Sequence, residues 1–340
     1  MIAPPPGYRV GPGPLLFVVV GGGTGLSTLL NGLKQYARRG EVDLCAIVTV
    51  TDDGGSSGRL RREFDILPPG DIRNCMVALS EDETLLSQLF QYRFETGRGL
   101  VGHSFGNLFL TALTHVTGDF PRAVRVSSEV LAIYGRIYPS TTANVGLRAV
   151  MGDGSVVEGE TRISRSRKRI ERLELTPGKV KPLKEALEAI AAADLISLGP
   201  GSLYTSVIPN LLVDGVARAI RRSRAGKVYF ANLMWQPWET MGYSAADHVG
   251  AIERHGGWGT MEKVVLNETE LKGVQRRLYA ASKVYPVEMD TPRIEEMGYE
   301  VVKRPLLAKG EKVRHDPAAV ARVAVELAAE ARVRNNARQE

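Results

Sequence analysis

Cysteine and histidine are scarce in this sequence, which has 2 cysteines and 5 histidines among 340 residues. Cys45 and Cys75 lack the close spacing of metal ligands, and no HExxH pair is present. The sequence therefore argues against a zinc site. Two isolated cysteines are typical of a reduced, cytoplasmic protein rather than of a disulfide-stabilised one.

Long apolar runs are also missing. No run approaches the roughly 20 residues that a membrane-spanning helix needs, so no membrane span is expected. Residues 1–14 have neither the apolar core of a signal peptide nor a helical period, which predicts an irregular tail. The net charge of +6 is modest for this length and fits a small anionic ligand. It argues against nucleic acid as a partner, because nucleic-acid-binding proteins usually concentrate such charge.

Apolar runs alternate with helical patterns over most of the chain, which is typical of a parallel sheet covered by helices. Short runs rich in Val, Ile or Leu predict strands buried on both faces. They cover 15–20, 44–51, 194–198, 227–231 and 262–266. Helical patterns cover 70–79, 82–92, 106–116 and 120–133. The predicted fold class is α/β, with a Rossmann-like, doubly wound, mainly parallel sheet.

A different pattern interrupts this core. Residues 136–178 contain β-branched residues and a GDG turn but no 3.6-residue period, which predicts a β-hairpin insertion. The nucleotide-binding core is then formed by residues 15–135 and 179–333. Within the insertion, the basic run RISRSRKRIERLEL has no interleaved aromatic residues, so it fits an exposed strand edge better than a nucleic-acid surface. An interaction scaffold built on this run is a further alternative.

The first glycine turn, in VVVGGGTGLSTLL, follows a predicted strand and begins a predicted helix. Glycines at such a place let backbone N–H groups approach an anion, and the helix N-terminus adds partial positive charge. The turn has neither the G-x-G-x-x-G spacing nor the lysine of a Walker A loop. The candidate ligand-binding residues here are Gly22, Gly23, Thr24, Gly25 and Leu26.

The second glycine turn, in SLGPGSLYTS, repeats the spacing of the first and also lies between a predicted strand and a predicted helix. In a doubly wound sheet both turns face one crevice at the topological switch point. Two such nests suit a diphosphate or a ligand with two anionic ends. Chance repetition of small residues is the alternative. The candidate ligand-binding residues here are Gly199, Pro200, Gly201, Ser202, Tyr204 and Thr205.

A third turn, in VTVTDDGGSSGRLRREF, begins with two carboxylates, Asp52 and Asp53, and continues with Gly55 and Arg59. Neighbouring side chains on an extended chain point to opposite faces, so one aspartate is expected to enter the cleft. A carboxylate beside a phosphate either binds ribose hydroxyls or holds a divalent cation such as Mg²⁺. Both roles are open, and an aspartate that serves a β-turn is the structural alternative.

Three further segments carry polar side chains near these turns. In PPGDIRNC, Asp71 is predicted to cap a helix, and Arg73 either reaches an anion or forms a surface salt bridge. In GHSFGNL, Asn107 is favoured as a ligand or loop-fixing amide over His103 as a catalyst. Asn232 follows the fourth predicted strand, at the same edge of the sheet as the glycine turns.

These motifs together resemble the gluconeogenesis factor family, the YvcK-like proteins, which are related to 2-phospho-L-lactate transferase and share its CofD-like fold. The segments that carry the resemblance are GGGTGLSTLLNGLK, VTVTDDGGSSGRLRREFDILPPGDIRNCMVALS, GHSFGNL, LGPGSLYTSVIPNLLV and GYSAADHV, within residues 15–330. The resemblance implies a cytoplasmic protein that binds UDP-sugars such as UDP-N-acetylglucosamine. It also implies a regulatory role in normal cell shape and in growth on gluconeogenic carbon sources.

Enzymatic activity stays open at this point. The related transferases move a phospholactyl group from a guanosine diphosphate carrier to a deazaflavin, with magnesium. The alternative to a regulatory protein is therefore a Mg-dependent transferase that acts on a nucleoside-diphosphate-linked substrate. No cofactor is firmly implied beyond the UDP-sugar ligand, and a homo-oligomer is one option for the assembly.

By position, the resemblance places the two glycine turns, Asp52 and Asp53, and Asn107 along the nucleotide cleft. It adds two UDP-sugar contacts, Tyr279 in YAASKVYPV and Arg314 in VRHD. The first of these segments departs from the family pattern YxxEGAxPV, because the acid and the glycine are missing.

A second departure from the family lies after the fourth predicted strand. Trp235 and Trp238 stand where the family has a threonine and a glycine. Both tryptophans either narrow the pocket, stack on the ligand, or pack in the protein.

Overall fold

The structure is a computed structural model that describes residues 13–81 and 85–338. All but the last two residues of the predicted tail 1–14 lie outside this range. The strands are β1 Leu15–Gly21, β2 Val42–Val48, β3 Arg136–Pro139, β4 Gly146–Met151, β5 Val156–Glu158, β6 Ile170–Thr176, β7 Leu195–Leu198, β8 Gly226–Phe230, β9 Lys263–Asn267 and β10 Glu300–Arg304. The helices are α1 Gly23–Arg38, α2 Gly55–Phe64, α3 Gly70–Leu79, α4 Leu85–Gln91, α5 Phe105–Thr117, α6 Phe120–Val130, α7 Glu160–Ile163, α8 Lys184–Ala192, α9 Ile208–Leu212, α10 Val216–Arg222, α11 Ala245–Gly256, α12 Gly273–Ala280, α13 Thr291–Glu296 and α14 Pro317–Asn336. A π-helical turn, Leu203–Val207, precedes α9.

Seven strands form one parallel sheet in the order β10-β9-β8-β7-β1-β2-β3. The central strands are continuous apolar runs because helices cover both of their faces, and Val19 and Val20 in β1 are fully buried. Three shorter strands form a separate antiparallel sheet in the order β5-β4-β6. The predicted fold class, a doubly wound, mainly parallel α/β sheet with a small antiparallel insertion, is confirmed.

The topological switch point lies between β1 and β7. From β1 the chain proceeds outward through β2 to β3, and from β7 it proceeds in the opposite direction through β8 and β9 to β10. Because crossover connections are right-handed, the helices that join strands in opposite directions cover opposite faces of the sheet. The loops after β1 and β7 therefore open into the crevice where doubly wound folds bind their ligands.

The insertion begins later than the sequence pattern predicts. The predicted unit spans 136–178, but Arg136–Pro139 forms β3, which pairs in parallel with β2 in the large sheet. The short sequence RIYP does not indicate which strand it pairs with. It joins the large sheet because the edge of β2 is open to pairing there. The antiparallel sheet itself contains three strands rather than a single hairpin, since β6 pairs with β4 on the side opposite β5.

The last helix, α14, packs against α1 and covers β1, β7 and β8. Asp316 caps it by accepting a hydrogen bond from the Ala319 N–H, and Pro317 is its first residue. Within the described ranges, no helix combines the length and the apolar character needed to cross a membrane.

Candidate functional site

The two glycine turns meet at the switch point, as predicted. A Cβ added to Gly25 would lie 2.5 Å from the carbonyl oxygen of Pro200 and 2.6 Å from the Cα of Gly201. A Cβ added to Gly201 would lie 3.3 Å from the carbonyl oxygen of Gly22. The backbones of the two turns are thus in direct contact, and position 25 has no room for a side chain.

The first turn begins α1 and exposes its N-terminus. Gly23 has a φ of +62°, in the left-handed region that favours glycine, and its N–H donates to the Asp71 carboxylate. An α-helix leaves its first four N–H groups without intrahelical acceptors, here those of residues 23–26. Thr24 is exposed, whereas the Leu26 side chain is fully buried in the core. Leu26 can therefore offer a ligand only its backbone.

The second turn differs, because protein side chains already accept hydrogen bonds from its N–H groups. Glu239, which is buried, accepts one from the Tyr204 N–H at 2.7 Å and another from Thr205. The Gln236 Oε1 accepts one from the Leu203 N–H at 3.2 Å. The expectation that both turns offer their amides to a phosphate therefore fails at Leu203, Tyr204 and Thr205 of the second turn, whose N–H groups already have side-chain acceptors. The cause is the loop after β8, which places a carboxylate where the phosphate was predicted.

Other predicted ligand residues of the second turn form hydrogen bonds within the protein. The Tyr204 side chain is fully buried, and its hydroxyl lies 2.9 Å from the hydroxyl of Tyr243 and donates to the Ile170 carbonyl in β6. Tyr204 thus joins the turn to the insertion. Ser202 accepts a hydrogen bond from the side-chain amide of Gln236, whose Oε1 accepts one from Asn232. Gly199, with a φ of +69°, is buried beneath these contacts.

The two tryptophans after β8 have different surroundings. Trp235 donates from its Nε1 to the Tyr243 carbonyl and packs edge-on against Tyr285. Trp238 has a φ of +70° and lies under the Arg167 guanidinium, which is 4.7 Å from the ring centroid. Trp235 is thus a packing residue, and Trp238 connects the loop to the basic run of the insertion.

The two aspartates of the third turn have separate partners. The Asp53 Oδ1 accepts hydrogen bonds from the Thr161 N–H at 2.9 Å and from its hydroxyl at 2.5 Å, so Asp53 anchors α7 of the insertion. The Asp52 Oδ1 accepts one from the Gly54 N–H at 2.9 Å. Arg59 donates to the Val101 carbonyl at 2.8 Å and holds the loop before α5.

The rest of the third turn adds no side chain to the cleft. Gly55, with a φ of +47°, is exposed at the start of α2, and no atom of the described chain lies within 4 Å of a Cβ built there. Of the predicted residues in this turn, Asp52 is the one whose side chain has no contact that ties it to the insertion or to a distant loop.

Asp71 and Glu160 are carboxyl groups of the cleft that the sequence did not predict as such. Asp71 lies inside the first turn of α3, whose N-cap is Pro69, so its predicted capping role is wrong. A Cβ added to Gly22 would lie 2.5 Å from the Asp71 Oδ2. Burial, together with the charge of Asp52, raises the pKa of Asp71 to about 7.

Glu160 enters the cleft from the insertion. Its Oε2 accepts a hydrogen bond from the Thr51 hydroxyl at 2.8 Å, and burial together with Asp52 raises its pKa well above the usual value. Carboxyl groups from β2, α3 and α7 therefore converge at this edge of the sheet. In the part of the chain that the structure describes, no three His, Cys, Asp or Glu side chains are arranged as a metal site.

Asn107 fixes a loop. Its Nδ2 donates to the Ser56 hydroxyl at 3.1 Å, and that hydroxyl lies 3.0 Å from the Nδ1 of His103. Burial lowers the pKa of His103 and so favours the neutral ring. Ser104 caps α5 instead of pairing with His103. Of the two roles predicted for Asn107, the contacts match the loop-fixing amide.

A cavity of about 730 Å³ lies beside the N-terminus of α1, between α3 and the segment before α14. Thr24 from the first glycine turn, Arg73 from α3 and the exposed Arg314 all line it. The Tyr279 hydroxyl accepts a hydrogen bond from the Val313 N–H at 3.0 Å, next to Arg314. The structure therefore brings Thr24 and Arg314 to one cavity, although they are far apart in the sequence. Tyr279 contacts the backbone beside Arg314 and is not among the residues that line the cavity.

Residues 17–307 match the family described as 2-phospho-L-lactate transferase CofD. The chain belongs to the CofD family. It is 48% identical over 310 residues to the gluconeogenesis factor of Halalkalibacterium halodurans, covering 91% of this chain and 95% of that protein. It is 47% identical over 310 residues to the gluconeogenesis factor of Bacillus subtilis strain 168, covering 91% and 96%.

A solved structure shares the fold of this chain. A crystal structure from Bacillus halodurans, described as a member of the UPF0052 family, superposes with a TM-score of 0.87 at 47% identity. It covers 91% of this chain and 98% of that one. The family resemblance indicated by the sequence motifs is thus confirmed.

Proposed function

We propose that this protein binds a UDP-sugar such as UDP-N-acetylglucosamine and acts as a cytoplasmic regulatory protein, with roles in gluconeogenic growth and cell shape. The observation that carries the proposal is the cavity beside α1, which Thr24 and Arg314 line. Its volume of about 730 Å³ lies within the range of small-molecule sites. The similarity to gluconeogenesis factors supports the biological role, and the choice of uridine and of the sugar rests on the family resemblance.

The diphosphate is expected at the N-terminus of α1. This helix is 16 residues long, and its orphan N–H groups and macrodipole favour an anion there. The Gly23 N–H is already fixed by Asp71, so the turn is held in shape before a ligand arrives. The second turn supports the first through the contact between Gly201 and Gly22. Arg314 forms no ion pair within the described ranges, so its charge is available to a phosphate.

Isothermal titration calorimetry with UDP-N-acetylglucosamine tests the proposal on the wild type and on Gly23→Val. Valine is strained at the left-handed φ of Gly23 and covers the amides beside it, so binding should be lost. Gly40→Val is a matched control, because Gly40 has a φ of +71° with no atom within 4 Å of an added Cβ, and it lies at the opposite end of α1. Equal binding by Gly23→Val and the wild type would refute the assignment of the cleft.

A Mg-dependent transferase is the second candidate, and the carboxyl groups of Asp52, Asp71 and Glu160 favour it. Asp52 raises the pKa of Asp71 and of Glu160, and Asp71 raises that of Glu160, so a cation that joins these groups to a diphosphate would relieve the repulsion. Asp52 is the best residue to test, because Asp53 is bound to Thr161. Product formation from a UDP-sugar or a GDP-linked donor with Mg²⁺, abolished in Asp52→Asn, would establish this activity. No turnover with any donor would leave the binding function alone.

A further inference from the structure

We propose that Arg73 is a second anion-binding residue of the cavity beside α1, which binds the diphosphate together with Arg314 and selects charged ligands over neutral nucleosides. The proposal deepens the proposed function and rests on it. The sequence left an anion contact and a surface salt bridge equally open for Arg73, and the similarity to known proteins assigns it no ligand.

The Arg73 guanidinium has the Asp71 carboxylate as an electrostatic neighbour in the described chain, but not as a salt-bridge partner. It forms no salt bridge there, and its one side-chain hydrogen bond runs from Nη2 to the Asn74 Oδ1 at 2.5 Å. The Nε is buried without an acceptor in the same part of the chain. Of the two roles that the sequence left open, the surface salt bridge is therefore wrong.

An unpaired guanidinium at such a place is costly. Burial and the neighbouring Arg93 lower the pKa of Arg73 and outweigh Asp71, which raises it, yet an arginine side chain stays protonated at neutral pH. Removing a charge from water without a partner is unfavourable, and its usual compensation is an ion pair or a bound anion. Because Arg73 lines the cavity and lacks an ion-pair partner, a bound anion is the missing compensation.

The packing around Arg73 directs its side chain into the cavity. A Cβ added to Gly106, at the start of α5, would lie 2.9 Å from both the Cγ and the Cδ of Arg73. Glycine at position 106 therefore leaves the space through which the aliphatic part of the side chain passes. Arg73 then lines the same cavity as Thr24 and Arg314.

The chemistry of this cavity matches a diphosphate. A guanidinium presents a planar fork of N–H donors that binds phosphate oxygens in pairs. Two guanidinium groups and one helix N-terminus together supply enough positive charge for a doubly charged group. A neutral nucleoside has no charge that interacts with the Arg73 guanidinium. Arg73 should therefore increase the affinity for charged ligands and leave the affinity for neutral nucleosides unchanged.

Calorimetry on Arg73→Gln tests the proposal with four probes: UDP-N-acetylglucosamine, UDP, inorganic pyrophosphate and uridine. We expect the Kd for the first three to rise by about 10- to 100-fold, as for the loss of a charged hydrogen bond, and the Kd for uridine to stay unchanged. Arg73→Lys, which keeps the charge but not the fork, should recover part of the affinity. Arg218→Gln removes the same charge from the exposed face of α10 and should change none of the four values.

The outcomes separate this proposal from the proposed function. If the wild type binds UDP-N-acetylglucosamine and Arg73→Gln binds it equally well, the role of Arg73 is refuted while the proposed function stands. If the wild type binds pyrophosphate through Arg73 but no UDP-sugar, the proposed function is refuted instead. An equal loss for uridine would show a structural role and overturn the proposal. If Arg73→Gln does not fold, Arg73→Lys decides, with weaker UDP binding and unchanged uridine binding expected.

Discussion

Substitution of Gly25 by alanine tests whether the contact between the two glycine turns is as close as the structure shows. The added Cβ would lie 2.5 Å from the Pro200 carbonyl oxygen, 2.6 Å from the Gly201 Cα and 2.7 Å from the Gly201 nitrogen. All three are backbone atoms, so no side-chain rotation relieves the overlap. Overpacking of this kind costs about 1–3 kcal/mol. Alanine also gains up to about 1 kcal/mol of helix propensity over glycine.

We therefore expect Gly25→Ala to lower the free energy of unfolding by about 1–2 kcal/mol and to weaken UDP-sugar binding. Gly250→Ala is the matched control, because Gly250 lies inside α11 and the nearest atom to its added Cβ is the Met297 Cε at 3.8 Å. That variant should be as stable as the wild type or more stable by up to about 1 kcal/mol. Urea unfolding followed by tryptophan fluorescence measures both. If Gly25→Ala proves as stable as Gly250→Ala, the turns do not pack as described.

Two further predictions concern the groups that hold the glycine turns and the loop of Arg314. The pKa of the buried Glu239 is about 7 in the folded protein against an ordinary 4.5, so its contribution to stability is fully present below pH 4.5 and is lost as the pH rises through 7. A shift of one pKa unit corresponds to about 1.36 kcal/mol, so the wild type should lose up to about 3 kcal/mol of its free energy of unfolding between pH 4.5 and pH 7. Glu239→Gln should not show this loss, and urea unfolding at several pH values measures it. If the free energy of unfolding varied with pH in the same way for the variant and the wild type, this prediction would be contradicted. Tyr279→Phe removes the acceptor of the Val313 N–H and should raise the Kd for UDP-N-acetylglucosamine by about 2- to 10-fold in calorimetry, whereas an unchanged Kd would show that this hydrogen bond does not position Arg314.

The strands and turns of the core could be predicted because their causes are local. Strands buried on both faces are continuous apolar runs, so β1, β2, β7, β8 and β9 stand out in the sequence. The outer strands β3 and β10 escaped the pattern, because a short edge strand such as RIYP owes its place to the neighbour that it pairs with. The cap of α14 was also local, since Asp316 and the Ala319 N–H are three residues apart.

The same distinction between local and tertiary causes applies to the candidate site. Glycine spacing and the strand-to-helix transition identified both turns, and the doubly wound pattern predicted that they meet. The sequence did not reveal that Glu239 binds the N–H groups of Tyr204 and Thr205, or that Glu160 reaches the cleft from the insertion. Nor did it reveal that Arg73 forms no salt bridge among the residues that the structure describes. The role of each of these residues depends on a contact or a cavity that another part of the fold provides.

By itself, then, the sequence determined which segments become strands, where glycine frees the backbone, and that two turns face one crevice. Only the tertiary structure decided which N–H groups stay open to a ligand, which carboxyl groups share the cleft, and that Arg73 forms no salt bridge among the described residues. The reason is physical: conformational preference and apolar periodicity depend on neighbours along the chain, whereas desolvation and charge pairing depend on groups that meet only when the sheet has formed.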